Sequence, residues 1–134
     1  MQLNGSEIEF LEDITFSLQN LITEGSSKVI DPSQVVSIQI PKGDYAVQLV
    51  TIPKNKQVLI FSKDRVRLLY AGRRNRPIFV LEENSTLVLR ERIEIYYNTN
   101  NVQELASLMI RYPKTSRVEI SKDVKISLFS MKQP

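Results

Sequence analysis

The sequence predicts an all-β fold, a β-solenoid of about five rungs with three strands per rung, and three observations predict it. The first is a recurring unit of apolar-x-apolar, a short charged connection, then apolar-x-apolar. It reads Arg117-Val118-Glu119-Ile120-Ser121-Lys122-Asp123-Val124-Lys125-Ile126-Ser127-Leu128 near one end and Glu7-Ile8-Glu9-Phe10-Leu11-Glu12-Asp13-Ile14-Thr15-Phe16-Ser17-Leu18 near the other. Copies stand at 86–97 and, with a connection two residues longer, at 57–68; a looser copy spans 36–47. The second is spacing: the units start at Ile8, Val36, Val58, Leu87 and Val118, 28, 22, 29 and 31 residues apart, a period that marks stacked repeats. The third is that apolar segments come in triples. Val58 and Ile60, Val66 and Leu68, Ile78 and Val80 form one; Leu87 and Leu89, Ile93 and Ile95, Leu108 and Ile110 form the next.

Alternation of period two within each half-unit argues a strand with one buried and one wet face. Counting in twos through the connection would put Glu12, Glu91 or Lys122 on the inward face, where an unpaired charge costs several kcal/mol. The chain must therefore bend. A tight hairpin favours a glycine-bearing turn, and none of the three best connections contains glycine, so a corner onto a new face fits better.

Taken in order, residues 7–18 read as the first repeat. Ser6 and Glu9 have capping-box spacing, and Phe10, Ile14, Leu18 and Leu21 recur at near-helical spacing, so an amphipathic helix is the alternative there. Gly25-Ser26-Ser27 reads as a loop, Val35–Ile40 as a strand, and Pro41-Lys42-Gly43-Asp44 as the turn that stops it. Tyr45–Ile52 continues as a strand with Tyr45, Val47 and Leu49 alternating, closed by Pro53-Lys54-Asn55-Lys56. After the unit at 57–68 comes the polar loop Ala71-Gly72-Arg73-Arg74-Asn75-Arg76-Pro77, then the short strand Ile78–Leu81. The unit at 86–97 is followed by a loop at Asn98-Thr99-Asn100-Asn101. Next come a helical turn at 102–105, a strand over Ala106–Tyr112, and the last unit. The inward set is Ile8, Phe10, Ile14, Phe16, Ile38, Val58, Ile60, Val66, Leu68, Ile78, Val80, Leu87, Leu89, Ile93, Ile95, Val118, Ile120, Val124 and Ile126.

A chain of 134 residues is expected to form a single domain, 1–134, and 42% hydrophobic with 25% charged residues is ordinary for a globular chain. No run of about 18 apolar residues occurs, so no membrane span is expected, and Met1-Gln2-Leu3-Asn4 does not open a signal peptide. With neither cysteine nor histidine, disulfides, thiolate or histidine-ligated metals and Ser-His-Asp triads are excluded within this chain. No cofactor is expected. Net charge is only +3, but residues 1–27 carry five acids and no base, whereas 63–76 carry Lys63, Arg65, Arg67, Arg73, Arg74 and Arg76 against Asp64 alone.

Ile38-Gln39-Ile40-Pro41-Lys42-Gly43-Asp44-Tyr45, and the run from Pro77-Ile78-Phe79-Val80-Leu81 through Ser85-Thr86-Leu87-Val88-Leu89 to Ile93-Glu94-Ile95, resemble right-handed parallel β-helices of the pectin-lyase-like family. The resemblance spans most of residues 7–128. It implies a right-handed parallel β-helix but no one chemistry, since that fold hosts lyases, hydrolases, adhesins and phage tail proteins.

Three features bear on function. The corner charges Glu12-Asp13, Lys63-Asp64, Arg90-Glu91-Arg92 and Lys122-Asp123 are expected to stack about 4.8 Å apart, either as a ladder of weak ion pairs or as a cleft for a uronate polymer. Arg65 and Arg67 point outward by parity beside Arg73, Arg74 and Arg76 and Tyr70; this patch fits a polyanion, or a solvated loop paired to Glu82, Glu83, Glu91 and Glu94. Tyr96, Tyr97 and Tyr112, with Asn98, Asn100 and Asn101, suit either a sugar-stacking platform on an exposed face or the packing of the stack itself.

The function expected is a non-enzymatic module for binding or scaffolding that recognises carbohydrate or another polyanion. A polysaccharide lyase or glycoside hydrolase is the alternative. Residues 1–6 and the tail Met131-Lys132-Gln133-Pro134 are expected to be too short to cap both ends of the stack fully, which leaves head-to-tail self-association or further rungs open.

Overall fold

The period-two stretches form strands that pair only in parallel. The computed structural model describes residues 11–99, 103 and 105–128. Its strands are β1 (Glu12–Asp13), β2 (Val35–Gln39), β3 (Gly43–Val47), β4 (Val50–Ile52), β5 (Gln57–Phe61), β6 (Val66–Tyr70), β7 (Phe79–Leu81), β8 (Thr86–Leu89), β9 (Ile93–Tyr97), β10 (Ile110–Arg111), β11 (Arg117–Ile120) and β12 (Lys125–Leu128), with helices α1 (Thr15–Lys28) and α2 (Leu105–Met109). They build a five-stranded sheet in the order β1-β3-β6-β9-β12, a four-stranded sheet β11-β8-β5-β2 and a three-stranded sheet β10-β7-β4.

Consecutive strands visit the four-, five- and three-stranded sheets in turn: β2-β3-β4, then β5-β6-β7, then β8-β9-β10, then β11-β12. The two halves of each repeat thus lie in different sheets, and the charged connection is a corner rather than a hairpin, as the parity of Glu91 and Lys122 requires. Register stacks like on like. Val36, Val58, Leu87 and Val118 form one inward column, Ile38, Ile60, Leu89 and Ile120 a second, and Leu68, Ile95 and Ile126 a third. Val58, Ile60, Val66, Leu68, Leu87, Leu89, Ile93 and Ile95 have no exposed surface, and full burial of each such side chain stabilises by about 1.5–3 kcal/mol. Polar groups at the corners are answered: the buried Ser62 hydroxyl donates to the Ile40 carbonyl at 2.7 Å, and Ser85 and Ser116 both donate to that of Glu82.

The N-terminal repeat folds differently from its look-alikes. Residues 15–28 are helix, Gly25-Ser26-Ser27 is its last turn rather than a loop, and only Glu12–Asp13 pairs as strand, so the helical spacing prevails over the match to 117–128. Ile14, Leu18, Ile22 and Ser26 recur every four residues and face the core, whereas Phe16, expected inward, is 77% exposed. Ile8 and Phe10 lie outside the described residues. The Asp13 carboxylate accepts the Thr15 N–H at 2.8 Å and the Gln48 side-chain amide at 3.0 Å; burial pushes its pKa up, but these bonds outweigh that and lower it. Gly25 allows close packing on β2, since a Cβ there would sit 2.5 Å from Val36 Cγ1.

The helix closes one end of the stack. Gln19 reaches the free edge of β4, donating to the Thr51 carbonyl at 2.9 Å and accepting the Thr51 N–H at 2.7 Å, so this end does not lack a cover.

Other expectations are corrected in detail. Tyr45–Ile52 is two strands in two sheets, β3 and β4, with Leu49 exposed at the corner between them. Ile78, just before β7, is buried in the core as expected, but within β7 it is Phe79 and Leu81 that face inward and Val80 outward; four apolar residues in a row carry no parity, and the pairing of Val50 with Phe79 sets it. The strand expected over 106–112 is α2 followed by β10 alone. Val118, Val124 and Ile126 are only partly buried and Ile120 is 37% exposed, because they form the last layer. Glu12 and Asp13, expected at the corner, instead pair as strand with Tyr45 and Ala46 on the five-stranded sheet. No described helix is long and apolar enough to cross a membrane.

Candidate functional site

The seven residues singled out by sequence separate into two places. On the outer face of the five-stranded sheet, Asp44, Arg67, Glu94 and Lys125 stand in one column of alternating sign. Arg67 grips Asp44 through Nε and Nη2 at 2.7 and 2.5 Å, and Arg65 grips Glu94 through Nε and Nη2, both at 3.2 Å. The Tyr96 hydroxyl also donates to Glu94, at 3.3 Å. These bonds raise both guanidinium pKa values and lower that of Asp44. For Glu94, burial pushes upward, but Arg65, Tyr96 and Lys125 outweigh it and hold the carboxyl low. Two positions along, Ala46 and Leu69 are buried on the same outer face, packed by Leu11, Ala71 and Tyr96. Arg65, Arg67 and Tyr96 are thus engaged within the protein, and an alternating ladder runs up this sheet face; the corners that carry Lys63-Asp64, Arg90-Glu91-Arg92 and Lys122-Asp123 do follow one another layer by layer, but among the described residues no ion pair joins those charges.

The second place is the loop at 71–77. Asn75 holds φ at 63°, a left-handed conformation asparagine tolerates. Its N–H donates to the Asn98 carbonyl at 3.2 Å and its Oδ1 accepts the Thr99 hydroxyl at 2.6 Å. From below, the Tyr97 hydroxyl donates to the Arg76 carbonyl at 2.5 Å, and its ring stacks on Tyr70 with centroids 5.1 Å apart. Burial, and then the neighbouring Tyr70, push the Tyr97 hydroxyl up to about 12. Tyr97 has no exposed surface, so it carries the loop rather than meeting a ligand on an exposed face. Gly72 must be glycine-sized here, because a Cβ would fall 2.4–2.6 Å from the Tyr70 ring and hydroxyl.

This scaffold presents Arg73 and Arg76 to a cleft of about 350 Å³ bordered also by Gln48, Tyr70 and Arg111. A second cleft of about 600 Å³, bordered by Lys54, Glu82, Glu83 and Tyr112, shares Val80 and Arg111 with the first. Both clefts border Val80 and Arg111, which are neighbours in the outward row of the three-stranded sheet. Among the described residues, Arg73, Arg74, Arg76 and Arg111 make no ion pair, and Arg74 borders neither cleft.

Arg111, Lys54 and Gln48 escaped the sequence reading. Arg111 was legible by parity, since it follows the inward Ile110; the corners that bring Gln48 and Lys54 beside it were not. The aromatic platform does not assemble: Tyr96 packs on one sheet, Tyr97 is interior, and Tyr112 alone is exposed, at the second cleft, while Asn98 is buried and Asn100 and Asn101 lie outside the described residues. Among the described residues no three carboxylates gather as a metal site. Comparison with protein-family models, characterised proteins and solved structures gives no significant match to this chain.

Proposed function

We propose that the chain is a right-handed parallel β-helix of the pectin-lyase-like type that acts as a non-catalytic module, binding an acidic polysaccharide along the outer face of its three-stranded sheet. The cyclic order of strands through three sheets supports the β-helix, and its right hand follows from the strong preference of parallel crossover connections. The observation that carries the binding reading is the contrast between two sets of arginines. Arg65 and Arg67 are neutralised by carboxylates, whereas Arg73, Arg76 and Arg111 border a cleft without a carboxylate partner among the described residues. Unpaired guanidiniums suit sulfates and carboxylates in bidentate fashion, and the exposed ring of Tyr112 continues the same surface.

Binding is favoured over glycoside cleavage because hydrolysis uses carboxylates flanking the scissile bond. The acids bordering the second cleft are the chain neighbours Glu82 and Glu83, facing Arg111 and Tyr112.

The test is retention on heparin and on polygalacturonate, each against a neutral glucan and single-stranded DNA. Wild type is expected to be retained on the acidic polysaccharides and to lose that retention in the triple variant R73S/R76S/R111S, with a nearly unchanged melting temperature because all three side chains are exposed and make no ion pair among the described residues. R65S is the control and should bind as wild type. Equal retention of wild type and the triple variant refutes the reading, and preference for DNA over both polysaccharides replaces it with a nucleic-acid site.

A further inference from the structure

The two ends of the stack are finished differently. At one, α1 lies over the interior columns and Gln19 occupies the hydrogen-bonding edge of β4. At the other, among the described residues, no strand pairs with the outer edge of β11 or β12. Val118, Ile126 and Leu128 are half-buried there and Ile120 is exposed, although their column neighbours Leu87, Ile95, Tyr97 and Leu89 are fully buried. A concave surface of about 720 Å³, bordered by Ile110, Tyr112, Val118 and Ile120, opens beside them. Free N–H and C=O groups over an apolar floor are a template for another strand.

We infer that this end binds the same end of a second copy, with β11 pairing antiparallel to its counterpart about a two-fold axis at Val118. Charge selects the register. Among registers that keep apolar residues inward, one centred on Glu119 would set two Glu119 side chains face to face, which is destabilising. Centring on Val118 instead places Arg117 opposite Glu119 of the second copy, twice, and the two Val118 side chains together. Arg117 and Glu119 can make that exchange: they are 76% and 52% exposed and, among the described residues, pair only with each other along one strand, at 3.2 Å. The helix over the opposite end prevents the contact from propagating, so association closes at two rather than forming a filament.

Sedimentation equilibrium of the full chain over a wide concentration range tests this. Wild type is expected to pass from one to two chains as concentration rises. R117E and E119R, each folded as judged by circular dichroism, should remain monomeric, because each sets like charges opposite twice. An equimolar mixture of the two should recover the dimer, because the hetero-pair restores both attractions. The chain has no cysteine, so V118C offers a second reading: oxidation should link two copies through the symmetric position, whereas S127C, outward on β12, should not link. A strict monomer at high concentration overturns the proposal, whatever then covers the end. So does a wild-type dimer that neither charge reversal weakens.

Discussion

Gln19→Ala tests whether one side chain seals a sheet edge. β4 is the outermost strand of the three-stranded sheet, and Gln19 makes the two hydrogen bonds, at 2.9 and 2.7 Å, that serve the Thr51 carbonyl and N–H there. Each such bond is worth about 1 kcal/mol net, and a buried group left unpaired costs about 1–3 kcal/mol. Thr51 is only half-buried, so water recovers part of the loss, and alanine is slightly the better helix former. The expected net destabilisation is about 2 kcal/mol, or roughly 8 °C in melting temperature at about 4 °C per kcal/mol for a domain of this size. Urea denaturation and thermal circular dichroism measure it directly. Phe16→Ala is the control on the same helix, since Phe16 is 77% exposed, and should change stability by less than about 0.5 kcal/mol. If Gln19→Ala costs no more than the control, water replaces the amide and the edge is not sealed by it.

Ile95→Asp sets a carboxylate at a position with no exposed surface, between Leu68 and Ile126; the cost of several kcal/mol should leave the chain unfolded by circular dichroism at 25 °C, and melting within a few degrees of wild type would refute the column. The buried Tyr97 hydroxyl, pushed up to about 12, lies above the unfolded value of about 10. Its contribution is therefore complete below pH 10 and lost as pH rises toward 12. Tyr97→Phe should flatten that alkaline decline in melting temperature, and identical slopes in both proteins would refute it.

Legibility in the sequence followed burial on two sides. Columns through β5, β6, β8 and β9 were readable because each residue is covered by a layer above and below, so alternation is enforced: Val58, Ile60, Val66, Leu68, Leu87, Leu89, Ile93 and Ile95 all face inward as expected. The terminal layers have one neighbour only. There the same pattern supports a helix at 15–28, whose four-residue spacing covers an end better than another strand, and a half-open layer at β11 and β12. Short strands defeated parity: Ile78–Leu81 is apolar throughout, and pairing with β4 chose Phe79 and Leu81. The arginine loop was recognisable from composition. Its separation from Arg65 and Arg67 was not, because the acids that neutralise them, Glu94 and Asp44, come from strands 29 and 23 residues away in sequence.

Among the described residues, every strand from β4 onward bonds only to the strands three before and three after it, where such strands exist, and this has an evolutionary consequence. A barrel is sealed by its first and last strands, so inserting or deleting one breaks closure. Here no strand has that office, and a triple such as β5-β6-β7 is flanked by near-equivalents of itself. Duplication or loss of such a triple leaves every remaining register intact and changes only the height of the stack. The corner connections absorb unequal lengths, as the loop at 71–77 does between β6 and β7. Loops can therefore lengthen at the corners without renegotiating the core, and the arginine loop, held by Tyr97 and Asn98 from the next layer, sits at such a corner.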